Sequence, residues 1–123
     1  AYQYYNKAYK IVNNIFGNFH PLMGSIYISL GNLYSKQGEH LPPPINREEY
    51  YENALIYYQK AILSLFRGFT DSSIYVNPVI PESFKSKKER EMFRKKINSM
   101  PVLLDALVAK ASVFEQRWNI RHK

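Results

Sequence analysis

The sequence predicts an all-α fold: antiparallel helix pairs of an α-solenoid, closed by a divergent C-terminal helix pair. Three observations lead there. Five stretches carry apolar residues at a 3.6-residue period, and none alternates as a half-buried strand does. Glycines and prolines fall between those stretches, where helices stop and start. One eight-residue segment recurs 53 positions later, the mark of a stacked repeat. At 123 residues the chain fits one domain with enough interior to fold without disulfides.

The first helix is expected over residues 1–16, where Ala1, Tyr4, Tyr5, Ala8, Ile11, Val12 and Ile15 share one face. Gly17 suits its C-terminal stop. Pro21 suits the first turn of the next helix, where a missing N–H has no intrahelical partner to lose. That second helix runs to about Gln37 on a stripe of Met23, Tyr27, Leu30 and Tyr34, and Gly38 is expected to end it. Three consecutive prolines then forbid helix, so Leu41–Pro44 reads as an exposed, extended connector. Asn46 can cap the third helix, with Glu49 completing a capping-box-like pair. Tyr51, Ala54, Leu55, Tyr58, Ala61, Ile62 and Leu65 form that helix's apolar face. Residues 68–81 read as a loop. Phe84 to about Asn98 reads as a charged helix, and Ser99 with Pro101 opens a last one to about Ile120. Its expected face is Leu103, Leu107, Ala111, Phe114 and Trp118.

The repeat aligns AYQYYNKA (1–8) with ALIYYQKA (54–61), and five of the eight positions are identical. In both copies two alanines seven apart lie on one face, where small residues let a second helix approach. Between the copies stands Tyr27-x-x-Leu30-Gly31-x-x-Tyr34-x-x-x-Gly38. This pattern resembles helix A of a tetratricopeptide repeat, with helix B supplied by Ala54-x-x-x-Tyr58-x-x-Ala61. The turn Gly17-x-x-His20-Pro21 is similar to the join between repeats of the kinesin light chain type. The resemblance covers residues 1 to about 67. It implies that Gly31 sits at the crossing of helices A and B. The sequence departs from the pattern at an insertion, residues 39–48, and residues 82–123 register with no repeat; they read as a divergent repeat or a capping pair. Because the first copy is a helix B without its helix A, the chain reads as a piece of a longer protein.

The resemblance also implies a function: a concave groove that binds a segment of a partner protein. Carried over by register, its groove-facing positions are Ser25, Ile28, Asn32, Ser35 and Lys36. Asn32 stands where family members that grip a terminal carboxylate place an asparagine. Ser25 and Ile28 stand where such members need charged or amide side chains. The opposing expectation is that the C-terminal segment packs over this surface and blocks it.

Charge is the other signal. The net charge is +7, and residues 82–123 carry +6 of it (eleven Lys/Arg against five Asp/Glu). Lys85, Lys87, Lys88, Arg90, Arg94, Lys95 and Lys96 form a basic patch, interrupted by Glu89 and Glu91. Such a patch can meet phosphates or an acidic protein. Its only aromatics are Phe84 and Phe93, however, and a base-stacking surface needs exposed ones; a solvated face with a Glu91–Lys95 pair is the simpler expectation. The tyrosines read as fill between helices, and the proline run as a surface loop rather than a ligand for a proline-reading domain.

No cysteine, no glycine-rich phosphate loop and no histidine with ligand-spaced acids is present, so no metal site, cofactor or catalytic residue is expected. No run is long and apolar enough to span a membrane. The expected function is a cytoplasmic protein–protein interaction scaffold, with a protein or peptide partner for which acidic character would suit the charge. The alternatives are a basic helical module binding nucleic acid or acidic surfaces, and a structural helical region of a larger enzyme.

Overall fold

The structure is a computed structural model that describes residues 2–42 and 46–122. Five helices follow one another: α1 (Tyr2–Phe16), α2 (Pro21–His40), α3 (Arg47–Leu65), α4 (Lys87–Arg94) and α5 (Met100–Arg121). Among the described residues the only extended pairing is an isolated bridge between Phe66 and Ile97, so the fold is all-α.

The helix ends follow local chemistry. Gly17 closes α1 with φ +74°, its N–H reaching Asn13 O at 2.9 Å. Pro21 is the first residue of α2, and His20 caps it by accepting from the Leu22 N–H at Nδ1, 3.1 Å away. Asn46 caps α3 through the Glu48 N–H at 3.0 Å. Ser86 and Ser99 cap α4 and α5 in the same way, accepting from Glu89 N–H (3.1 Å) and Val102 N–H (3.4 Å). Pro43, Pro44 and Ile45 lie outside the described residues, and with them most of the expected connector. Leu41, at its start, is half-buried, and its carbonyl accepts two hydrogen bonds from the Arg47 guanidinium at 2.6 and 2.9 Å.

The core is organised by a close antiparallel crossing of α2 on α3. Gly24, Gly31 and Gly38 recur every seven residues along α2, and Leu65, Tyr58 and Tyr51 recur every seven along α3. Each glycine faces one of these large residues. A methyl group on Gly31 would lie 2.5 Å from Tyr58 Cε1, one on Gly24 2.7 Å from Leu65 Cγ, and one on Gly38 3.1 Å from Tyr51 Cε1. The expected crossing at Gly31 is thus one of three. Gly38, expected to end the helix, lies inside it: α2 continues to His40 because the third glycine is needed against Tyr51.

All seven expected apolar residues of α3 are buried. With Met23, Leu30, Leu103, Ala106 and Val113 they form the interior. Removing one such Leu or Ile side chain from water contributes roughly 1.5–3 kcal/mol. α5 packs across α3 and also touches α2. Its face differs from the expected one. Leu103, Ala106, Lys110 and Val113 are buried, Leu107 and Phe114 half-buried, and Ala111 and Trp118 exposed. The stripe rotates because Lys110 goes inside, where its methylene stem packs and its ammonium finds three acceptors.

α1 packs on α2 through tyrosines. Tyr2 and Tyr9 meet Tyr34 and Tyr27 at centroid distances of 6.0 and 5.8 Å, and Tyr34 stacks on Tyr57 of α3 at 5.5 Å. Of the expected α1 face, Ala1 lies outside the described residues, Tyr5, Ala8 and Val12 are half-buried, and Tyr4, Ile11 and Ile15 are exposed. The charged helix is shorter than expected, since Ser86 takes the cap position with extended backbone.

The crossing makes a signed prediction. Tyr58 is fully buried with its hydroxyl held by Asn32, so its ring cannot yield to a new methyl. Gly31→Ala should therefore destabilise by ~1–3 kcal/mol through overpacking, although alanine improves helix propensity by about 1 kcal/mol. Gly38→Ala, with the looser contact, should cost less. Urea unfolding of both variants checks the order; a Gly31→Ala protein more stable than the parent would contradict the crossing.

Candidate functional site

Because α5 leans on α3 and only its flank reaches α2, a cleft of about 300 Å³ opens between α2 and α5. Asn32, Ser35, Lys36 and Glu39 line it from α2; Ala109, Ser112, Val113 and Gln116 line it from α5. Tyr58 of α3 closes the floor. The spacing of the α2 residues puts them on successive turns of one face.

The polar groups of the cleft are partly engaged. The Tyr58 hydroxyl donates to Asn32 Oδ1 at 2.6 Å, which ties the cleft wall to the core. Burial, with Glu39 nearby, pushes that phenol up to about 12. Gln116 donates to Glu39 Oε1 at 2.6 Å and receives the Ser35 hydroxyl at 3.5 Å, a bridge between the two helices. Lys36 is exposed on the α2 side. The cleft thus offers a cation, a carboxylate and amides beside an aromatic and a valine, enough to hold backbone and side-chain groups of a short segment.

Three of the five groove positions expected from the sequence, Asn32, Ser35 and Lys36, stand together in this cleft. Ser25 is exposed but is not part of its lining, and Ile28 is half-buried and packs against the apolar interior. Ile28 is thus taken up by the interior, and the cleft beside it remains open. Glu39, Ser112 and Gln116 were beyond sequence reasoning, because α5 lies outside the repeat resemblance and its register could not be carried over.

A second constellation was also missed. Lys110, only 2% exposed, reaches Gln59 Oε1 at 2.6 Å, Asn77 Oδ1 at 2.7 Å and the Val76 carbonyl at 3.0 Å. Gln59, itself buried, donates to the carbonyls of Asp71 (2.8 Å) and Val76 (3.0 Å). The two side chains pin the 68–81 loop onto α3 and α5. Burial pushes the Lys110 ammonium down to about 8, with Asp71 acting against that shift.

All seven cations of the basic patch are exposed. Arg94, not Lys95, pairs with Glu91, at 3.5 Å. Phe93 packs edge-on against Phe66 and tilts against Phe84, at 5.6 and 5.4 Å, so the patch's aromatics serve the interior. The end of this segment is fastened to α3: Arg67 N–H donates to Lys96 O at 2.6 Å and Asn98 N–H to Leu65 O at 2.9 Å. Arg121 of α5 pairs with Glu48 of α3, which holds the Glu48 carboxyl below its usual range. Among the described residues no three His, Asp or Glu side chains converge as a metal site, and no helix is long and apolar enough to cross a membrane. No family model, curated protein or solved structure matches the chain.

Two predictions follow from these placements. Lys110→Met should leave Gln59 Oε1 and Asn77 Oδ1 without their donor, while the Val76 carbonyl keeps Gln59, and cost about 1–3 kcal/mol. Its pH signature has a definite sign. Between about pH 8 and the ordinary lysine value of 10.5, the unfolded chain holds a proton the folded chain has released, so stability rises with pH. Above about pH 10 the tyrosines packed between the helices reverse this: burial pushes Tyr58 up to about 12 and raises Tyr27 and Tyr57 as well, so the unfolded chain ionises first. Urea midpoints measured from pH 7 to 11 should climb and then fall in the parent, whereas the Met variant should show the fall without the climb. For the patch, changing Lys87, Lys88, Lys95 and Lys96 together to glutamine should move stability by no more than about 0.5 kcal/mol, because exposed charges contribute little; a larger loss on thermal unfolding would place one of them in the interior.

Proposed function

We propose that this chain is a helical-repeat module of the tetratricopeptide type whose α2–α5 cleft holds a short segment of a partner protein. In this reading α1 is a helix B, α2 and α3 are one complete A–B pair, and α5 takes the place of the next helix A. Consecutive A helices line the concave side of such a stack, and the observation that carries the reading is the cleft between α2 and α5. The segment it suits lies extended, with an apolar side chain against Tyr58 and Val113. An acidic group on it would be met by Lys36, and a basic group by Glu39. The proposal includes a cytoplasmic location and no catalytic step of the chain's own.

Peptide display against the chain, followed by anisotropy titration of the selected sequences, tests this. Ser112→Trp fills the cleft from an exposed position and should weaken binding by about tenfold or more, about 1.4 kcal/mol, with the melting temperature unchanged. Lys36→Glu should shift the selection away from acidic peptides. Selected peptides that bind the Ser112→Trp protein as tightly as the parent, or a display that enriches none, would overturn the proposal.

A further inference from the structure

Just past α3 the chain sets two cations side by side. Phe66 and Ile97 form an isolated antiparallel bridge, and both side chains pack on the interior. Successive side chains of an extended segment point to opposite faces. Arg67 and Lys96, the neighbours of that bridge, therefore both project outward, and both are exposed. Their backbones are joined by the Arg67 N–H bond to Lys96 O at 2.6 Å. On the other side of the bridge the Asn98 side-chain amide donates to Ser64 O at 3.2 Å and the Asn98 N–H to Leu65 O. Like charges directly opposite on one face repel, and an anion placed between them relieves that repulsion. Arg67 is also held in place: its guanidinium lies 4.4 Å from the centroid of the Phe19 ring, which leaves its N–H edges for an acceptor. Among the described residues neither Arg67 nor Lys96 is in a salt bridge.

A pocket of about 320 Å³ opens at this pair, and Arg67 and Lys96 belong to its lining. Phe66 and Phe93 line it too, packed edge-on at 5.6 Å, with Phe69 tilted against Phe66 at 6.4 Å. Pro78, Val79 and Pro81 add aliphatic surface, and Val79 is 85% exposed. Lys110 fixes the chain just before them through the Val76 carbonyl and Asn77 Oδ1, so this apolar surface is held in place. Among the described residues no acid and no uncharged polar side chain lines the pocket. The surroundings have the same sign. Residues 66–99 hold eight Lys/Arg against four Asp/Glu. Two of those acids are engaged: Asp71 Oδ1 accepts the Ser73 N–H at 2.9 Å, and Glu91 pairs with Arg94. The α2–α5 cleft, by contrast, offers Glu39 as well as Lys36.

These features select an occupant. Two exposed cations over an apolar hollow suit a carboxylate that neighbours an apolar side chain. The volume is at the lower end for small-molecule sites, which run from about 300 to 1,000 Å³, and it suits one large side chain. A nucleobase fits poorly. Its polar edge would be buried against rings and prolines without a partner, and Phe66 and Phe93 pack on each other instead of offering an open face for stacking. We propose that the pocket takes an acidic segment of a partner protein, with a leucine-sized or aromatic side chain seated against Phe69, Pro78 and Val79 and a neighbouring carboxylate held between Arg67 and Lys96. The pocket shares no lining residue with the α2–α5 cleft, and the proposal does not depend on what that cleft binds.

The test is peptide display against the Ser112→Trp protein, in which the cleft is already filled, followed by anisotropy titration of the selected peptides. The enriched sequences should carry Asp or Glu beside Leu, Phe or Trp. Changing Arg67 and Lys96 together to glutamine should weaken their binding by about tenfold or more. Val79→Glu, at an exposed position, should do the same with an unchanged melting temperature, so the outcome does not hang on how well the double variant folds. Changing Lys87 and Lys88 together to glutamine removes the same charge from outside the pocket and should weaken binding by no more than about twofold. Equal losses from the two double variants would reduce the effect to diffuse charge and overturn the proposal. A display that enriches no acidic sequence would overturn it as well. So would a short oligothymidylate that binds the parent as tightly as the selected peptides, a result that would assign the patch to nucleic acid.

Discussion

The approach of α2 to α3 through three glycines is the constraint on which the remaining structure rests. A glycine every seventh residue drifts only slowly around a helix, so Gly24, Gly31 and Gly38 hold one line along α2. Opposite them, Leu65, Tyr58 and Tyr51 fill the space that the missing side chains leave. The arrangement converts a poor helix former into a packing device. Each glycine weakens α2 as an isolated helix, and the contact it permits brings buried side chains to van der Waals distance along the full length of the pair. This is why α3 can bury the whole face formed by Tyr51, Ala54, Leu55, Tyr58, Ala61, Ile62 and Leu65.

From that pair the other parts take their positions. α1 rests on it through a tyrosine ladder, which suits an interface that is only half dry, because the ring edges pack while the hydroxyls remain near water. α5 rests on α3 and touches α2, and what holds it there is partly polar. Lys110 and Gln59 share a buried network that also fastens the 68–81 loop. A buried ammonium with three oxygen partners is strongly destabilising if one side is removed, and far less so when complete. The cleft beside Tyr58 exists because α5 is aligned on α3 by this network and meets α2 only along its flank. Asn32 then links the two levels, with one atom at the cleft wall bonded to a hydroxyl that belongs to the core crossing.

The sequence made the first half of the fold legible and much of the second half not, and the difference has a physical basis. In α2 and α3 the burial pattern, the caps and the turn at Gly17-x-x-His20-Pro21 all point the same way, so local and tertiary signals agree. Gly38 misled because a glycine near a helix end reads as a stop, and only the partner helix reveals that it faces Tyr51. α5 misled because periodicity treats lysine as an outward residue; Lys110 inverts that rule once three acceptors from α3 and a distant loop surround it. α1 misled in a different way. Its most regular apolar face, Tyr4, Ala8, Ile11 and Ile15, is not the face that meets α2. Among the groove positions, Asn32, Ser35 and Lys36 stand together in the cleft as their register suggested, whereas Ile28 packs against the interior. The α5 half of the cleft had no motif to announce it.

The account stands on the α2–α3 crossing, and proton NMR reads that crossing directly. The Hα protons of Gly31 should show strong nuclear Overhauser contacts to the ring protons of Tyr58, and ring current should shift them upfield. Gly24 Hα should meet the Leu65 methyl protons, and Gly38 Hα the Tyr51 ring. Those three contacts together, in antiparallel register, are the predicted result. Gly31 Hα resonances at ordinary helical shifts with no contact to Tyr58, or contacts displaced by a turn along α3, would contradict the packing from which the cleft and the loop network are derived.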